Sequence, residues 1–100
     1  MSTLNIVNKS PFEKKSLEQC LQRLGKDDSI LLIEDAVVAA IANTAFATEL
    51  QRCGVALYAL KPDLEARGLG EAEMLPDLET VGYDGFVKLV TTHDKAHSWL

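Results

Sequence analysis

Ser29-Ile-Leu-Leu-Ile-Glu-Asp35 sets four aliphatic residues in a row and then stops on two carboxylates. A short apolar run without alternation is the pattern of a strand covered on both faces, as in the middle of a parallel sheet flanked by helices. Ile30 to Ile33 is therefore expected as the central strand. Glu34 and Asp35 fall at its carboxyl end, where an open α/β sheet keeps its ligand crevice, which makes them the first functional candidates.

Working outward toward the N-terminus, Leu4 to Val7 has the character of a short first strand and Asn8-Lys-Ser-Pro11 that of the turn after it. Ser10-Pro-Phe-Glu13 fits a capping box with proline at the first helical position, and Ser16-Leu-Glu-Gln19 fits a second one, so the sequence offers two helix starts. Leu17, Cys20, Leu21 and Leu24 then fall at the i, i+3, i+4, i+7 positions of an amphipathic helix that Gly25 terminates. Cys20 lies on that apolar stripe. A stripe cysteine faces the core, where desolvation raises its pKa and makes it inert, unless the stripe meets a sheet edge or a subunit boundary.

Toward the C-terminus, Lys26-Asp-Asp28 is a polar turn into the central strand, and Ala36 to Ala42 is apolar all round. Such a segment must be covered by more than its own sheet: either it is a core helix of a small domain or it marks a subunit interface. Asn43-Thr44 interrupts the pattern, Thr44 to Arg52 resumes it, and Cys53-Gly54 ends it, with Cys53 expected as packing. Val55 to Leu60 is a third strand, nearly continuous in apolar residues. Strands separated by helices call for parallel βαβ units with right-handed crossovers. Lys61 to Gly68 follows at the same end of the sheet as Glu34 and Asp35, so Lys61 and Arg67 either bring positive charge to those acids or belong to a solvated helical turn. Gly68 to Asp77 is a polar connection, and Leu78 to Val81 alternates as an edge strand does. Tyr83 to His93 is a last helix carrying Phe86, Val87, Leu89 and Val90. Trp99 and Leu100 close the chain and imply a terminal strand or an interface anchor, because undocked chain ends fray. The expected fold is an α/β three-layer sandwich around a mainly parallel sheet of four to five strands, with residues 1–100 as one domain.

Composition narrows the function. One hundred residues with 47% hydrophobic and 25% charged content describe one globular unit whose modest core leaves room for burial by a partner subunit. A net charge of -5 is the wrong sign for a general phosphate-backbone binder, so no direct nucleic-acid contact is expected. No run approaches the roughly 18 apolar residues of a membrane span, and no basic-then-apolar leader opens the chain, which points to the cytoplasm. Two cysteines in a reducing compartment are packing or thiol chemistry rather than a disulfide framework.

Phosphate loops of the GxGxxG or GxxxxGK[ST] type do not occur, and Gly68-Leu-Gly70 runs into Glu71 and Glu73, acids unsuited to cradling phosphate. His93 and His97 have i, i+4 spacing without an acidic third ligand, so neither a metal nor another cofactor is expected. Glu34 and Asp35 are sequence neighbours and poorly placed as a facing acid/base pair. The thiol of Cys20 is the remaining chemical candidate, pointing to sulfur transfer or to no chemistry.

Taken together, Leu4-Asn-Ile-Val-Asn-Lys-Ser-Pro-Phe-Glu13, Leu17-Glu-Gln-Cys-Leu21, Leu31-Leu-Ile-Glu-Asp-Ala-Val37, Leu60-Lys-Pro-Asp-Leu-Glu-Ala-Arg-Gly68, Tyr83-Asp-Gly-Phe-Val-Lys-Leu-Val90 and Ser98-Trp-Leu100 resemble the DsrH/TusB family of sulfur-relay proteins. The resemblance implies a DsrE/F/H-like α/β fold. It also implies a role as the smallest of three related subunits in a heterohexamer with DsrE/TusD-like and DsrF/TusC-like partners. In such proteins persulfide sulfur passes between cysteines and on to a DsrC/TusE-like acceptor. The DsrH branch serves sulfur oxidation and the TusB branch serves 2-thiolation of the tRNA wobble uridine. Cys20 matches the position at which DsrH proteins carry a cysteine and many TusB proteins do not, which favours the DsrH branch and makes Cys20 the candidate persulfide carrier. A thiolate there would attack the outer sulfur of a donor persulfide, so the chain is expected as a sulfurtransferase subunit rather than a stand-alone enzyme.

Overall fold

The computed structural model describes residues 1–42 and 45–99. The expected Asn43-Thr44 interruption and the anchoring role of Leu100 lie outside the described residues. Five strands, β1 (Thr3–Val7), β2 (Ser29–Leu32), β3 (Ala56–Leu60), β4 (Leu78–Val81) and β5 (Lys95–Trp99), form one sheet in the order β4-β3-β2-β1-β5. All four pairings are parallel. β2 is the middle strand, and all four of its residues are buried, as its unalternating apolar run requires. β4 and β5 are the edges. The C-terminal strand expected from Trp99 is β5, parallel to β1.

Four helical segments follow the strands: α1 (Ser16–Leu21), α2 (Ala47–Gln51), α3 (Lys61–Ala66) and α4 (Tyr83–Thr92), together with a 3₁₀ helix over Glu34–Ala40. Stepping along the sheet from β1 to β4 keeps successive right-handed crossovers on one face, whereas the return from β4 to β5 puts α4 on the other. Side-chain alternation agrees. Val7, Ile30, Leu32, Leu57 and Ala59 point into one continuous core with Leu17, Cys20, Val37, Leu50 and Leu64. Leu4, Leu31 and Leu60, of the opposite parity, are buried but stand outside that cluster, on the α4 side. The sandwich thus has three layers of unequal thickness.

Local chemistry moved several boundaries. The first capping box does not form: the Ser10 hydroxyl accepts the Phe12 N–H at 3.2 Å and its carbonyl accepts Glu13 and Lys14, which makes a turn. Helix α1 starts after Lys15, without a side-chain cap, and ends at Leu21 rather than running to Leu24. The Asp28 carboxylate explains the early stop, since it takes the Gly25 N–H at 2.9 Å and the Thr3 N–H at 3.0 Å and so rewards a turn over further helix. Most of the all-apolar Ala36–Ala42 stretch is core: Ala36, Val37, Ala39 and Ala40 have no exposed surface, while Val38, Ile41 and Ala42 are half-buried. Its cover comes from within the chain, through a bridge between Ile41 and Met74 and hydrogen bonds from Ala42 to Glu73 and from Leu75 to Ala40. The 68–77 connection, polar apart from Met74, Leu75 and Pro76, thereby buries Leu75.

The edge strand β5 is held to its neighbours by a polar link through the buried Asn5. The Asn5 amide donates to the Ser29 carbonyl at 3.2 Å, and its oxygen accepts the Trp99 indole N–H at 3.1 Å. At the other end of β5, Asp94 accepts the Ser2 N–H at 2.8 Å, which holds its carboxyl below the usual range. Replacing Asn5 by Ala leaves the Trp99 N–H without its partner, and a loss of about 1–3 kcal/mol is expected. Because Trp99 is the sole tryptophan, its fluorescence reports the result: Asn5→Ala should change the emission of the folded chain and lower the urea midpoint together.

Candidate functional site

Two places carry the candidate residues, the carboxyl ends of β2 and β3 and the packing of α1 against α2. At the strand ends, Glu34 adopts φ +51°, a left-handed conformation rare for a side chain of its kind, and this bends the chain from β2 directly into the 3₁₀ helix. Its N–H is held by the Asp63 carboxylate at 2.6 Å. Beside it, Asp35 receives both Nε and Nη2 of Arg67, at 3.2 and 3.0 Å, while Nη1 donates to the Asp63 carbonyl. The sequence left two readings for Lys61 and Arg67. Arg67 does reach the acids, and Lys61 forms no ion pair with them among the described residues.

Electrostatically this end of the sheet is a stitched hinge between the 3₁₀ helix and α3. Glu34 and Asp35 are exposed and occupied with backbone geometry or an ion pair, and they do not face one another as an acid and a base. The Asp35–Arg67 pair is open to solvent, at 60% and 31% exposure, which limits its contribution to about 1 kcal/mol. Arg67→Ala is accordingly expected to lower stability by no more than about 1 kcal/mol at low salt. The difference should shrink in 1 M NaCl when both proteins are compared by urea unfolding. Asp63 was not among the sequence candidates. Its place in the first turn after Lys61-Pro62 was the available signal.

Cys20 is completely buried on the inward stripe of α1. Burial pushes its thiol up to about 12, with Asp28 and Cys53 adding to the effect, so at neutral pH it is a protonated thiol in an apolar core. Cys53, expected as packing, is half-buried and free. It packs on the same core and also lines a surface groove of about 500 Å³ with Glu18, Leu21 and Gln22 from the α1 side and Phe46, Glu49 and Arg52 from the α2 side. Its thiol lies 3.9 Å from the Val55 carbonyl. The sequence placed the chemical candidate on α1; the sulfur at the surface is on the other side of the groove.

His93 and His97 do not converge. His93 Nδ1 meets the Leu89 carbonyl at 2.7 Å and Nε2 meets the Ser29 hydroxyl at 2.9 Å. Since a carbonyl only accepts, Nδ1 carries the proton, and in the neutral ring Nε2 accepts from Ser29. His97 packs edge-on against Trp99 at 4.7 Å. No group of three or more His, Cys, Asp or Glu side chains able to hold a metal ion occurs among the described residues, and none of the described helices is long and apolar enough to cross a membrane.

Comparison with known proteins agrees with this architecture. Among solved structures, the E. coli ychN protein superposes with a TM-score of 0.80 at 19% identity, covering 98% of this chain and 99% of that one. MTH1491 of Methanobacterium thermoautotrophicum, solved as a protein of unknown function, superposes with 0.75 at 15% identity, covering 97% and 96%. These likenesses concern the fold. In sequence, the chain is similar over 96 residues to Protein TusB of Enterobacter sp. at 38% identity, of Photorhabdus laumondii at 35% and of Shigella flexneri at 31%. Each match covers 96% of this chain and 99% of the relative. The family model described as DsrH like protein matches residues 9–96. With that match over most of its length and full-length relatives above 30% identity, the chain belongs to the DsrH-like family.

Proposed function

We propose that this chain is a subunit of a cytoplasmic sulfur-relay complex, built with DsrE/TusD-like and DsrF/TusC-like partners, whose relay cysteine lies on a partner subunit. The observation that carries the reading is the state of Cys20: fully buried, with its thiol pushed up to about 12. A persulfide carrier must present a thiolate to a bulky donor, and a buried neutral thiol does neither. Support for the TusB branch, and with it 2-thiolation of tRNA through a TusE-like acceptor, comes from relatives that carry the name Protein TusB. Here the chain works as one unit whose contribution is structural, and no cofactor is involved.

A second reading has its own observation. A cysteine stands at position 20, where the resemblance places the DsrH carrier, and Cys53 beside it opens onto a surface groove. Under that reading the complex serves sulfur oxidation with a DsrC-like acceptor, and α1 shifts on assembly to expose Cys20. The test is to load the assembled complex with a persulfide donor and measure the intact mass of every subunit. The structural reading expects added sulfur on a partner alone and unchanged transfer in Cys20→Ser; a 32 Da adduct on this chain that vanishes in Cys20→Ser would replace it by the carrier reading.

A further inference from the structure

Past the end of α1, the margin of the sheet carries a pocket on the face that holds the main core. Lys95, His97 and Trp99 stand in register with Thr3, Asn5 and Val7, and so form one row along that face of β5. Helix α1 packs over β1 and β5 but stops at Leu21, after which Asp28 draws the chain into a turn. The space left beside that turn is about 260 Å³. Arg23 and Asp28 line it from the turn, and Lys95, His97 and Trp99 line it from β5.

The charges in this pocket are unequally engaged. One Asp28 oxygen accepts the Thr3 N–H at 3.0 Å and the other the Gly25 N–H at 2.9 Å, so the carboxylate is committed to the backbone. Arg23 and Lys95 are exposed, and among the described residues neither side chain makes a hydrogen bond or an ion pair. On a chain of net charge -5, two unpaired cations in one pocket are a local reversal of sign. The rings beside them are held in place. The Trp99 indole N–H is fixed by the Asn5 oxygen at 3.1 Å, Asn5 is itself buried, and His97 packs edge-on against Trp99 at 4.7 Å.

We propose that this pocket binds a small organic phosphate of the mononucleotide class, with its phosphate at Arg23 and Lys95 and its base against His97 and Trp99. Two cations suit the double charge of a phosphate monoester, the Arg23 guanidinium as a planar fork and the Lys95 ammonium as a point charge. A monocarboxylate would use only one of them. Aromatic side chains accept any base, because every base has a π-face. The volume lies at the small end of ligand pockets, which suits one nucleotide rather than a dinucleotide. The absence of a glycine-rich loop removes a backbone cradle for phosphate, and here side chains take its place. The pocket is separate from the groove at Cys53 and from the strand-end acids, and binding there does not depend on the relay assembly.

The test titrates the full chain with AMP at constant ionic strength. Trp99, the sole tryptophan, lines the pocket and reports binding by its emission, excited at a wavelength where adenine is transparent, with calorimetry as the second readout. A saturable change with a Kd of about 1 mM or below is expected, with adenosine and inorganic phosphate each weaker by about tenfold or more, since each supplies half of the contacts. Arg23→Gln and Lys95→Gln should each weaken AMP roughly fivefold while leaving the urea midpoint unchanged, because neither side chain has a partner in the fold. No saturable binding of AMP up to about 10 mM would overturn the proposal, and so would wild-type affinity in both variants. Inorganic phosphate binding as tightly as AMP would replace the nucleotide by a bare oxyanion, and adenosine binding as tightly as AMP would remove the phosphate from the site.

Discussion

Exposed to a small alkylating reagent at pH 8, the folded chain is expected to take up one equivalent, at Cys53, while Cys20 stays unmodified until the fold opens. Cys20 has no exposed surface, and the shift of its thiol from 9.0 to about 12 lowers its thiolate population at that pH by about a thousandfold. Peptide mapping after minutes and after hours separates the two sites, and urea at the unfolding midpoint should release Cys20 labelling in step with loss of structure. Rapid alkylation of Cys20 in the native chain would mean that α1 opens without unfolding.

The same thiol makes stability depend on alkaline pH. An acid whose pKa is raised in the folded state keeps its proton there while the unfolded chain loses it, so the native form binds more protons between about 9 and 12. Stability is therefore undiminished below about pH 9 and falls as pH rises toward 12, by at most about 4 kcal/mol from this group. Cys20→Ala should flatten that part of the stability curve relative to wild type, as urea unfolding at a series of pH values from about 8 to 11 would measure.

How far the residues disclosed this arrangement depends on the scale of the interactions involved. Strands announce themselves through their own composition, and the run from Ile30 to Ile33 and the alternation at Leu78 to Val81 were enough to place the centre and one edge of the sheet. What composition cannot carry is a competition settled by a distant group. Helix α1 stops early because Asp28, seven residues past its end, holds Gly25 and Thr3 instead. Ala36 to Ala42 gives no polar face in either environment, so only the neighbouring backbone at Glu73 and Leu75 distinguishes core from interface.

The site divides in the same way. The inward direction of Cys20 was readable from the i, i+3, i+4, i+7 stripe, and its burial follows from that. The approach of Arg67 to Asp35 spans 32 positions and depends on the left-handed turn at Glu34, a conformation that its residue type disfavours. Cys53 was read as packing because it sits beside a helix end; that it also faces a groove depends on how α1 and α2 are spaced in the fold.

Truncation of the central strand tests the unequal layers, and Leu32→Ala is expected to be among the most damaging single changes, at about 3–5 kcal/mol. Leu31 and Leu32 are adjacent, both leucine and both fully buried, yet they point to opposite faces. Leu32 enters the cluster with Val37, Leu50 and Leu64, where several elements meet and none can move inward without disturbing the others. A cavity there persists and carries its full cost. Leu31 faces the side of α4, a helix with no completely buried residue, and α4 can settle toward the sheet and take up part of the lost volume. Leu31→Ala is therefore expected to cost about 1–2 kcal/mol less than Leu32→Ala, toward the lower end of the range for leucine truncations. Urea midpoints at constant m-value measure both. Against a total stability of about 5–15 kcal/mol for a domain of this size, Leu32→Ala brings the chain close to unfolding at 37 °C. Equal costs at the two positions would show that α4 is held as rigidly as the opposite layer, and that the thin side of the sandwich is already a finished one.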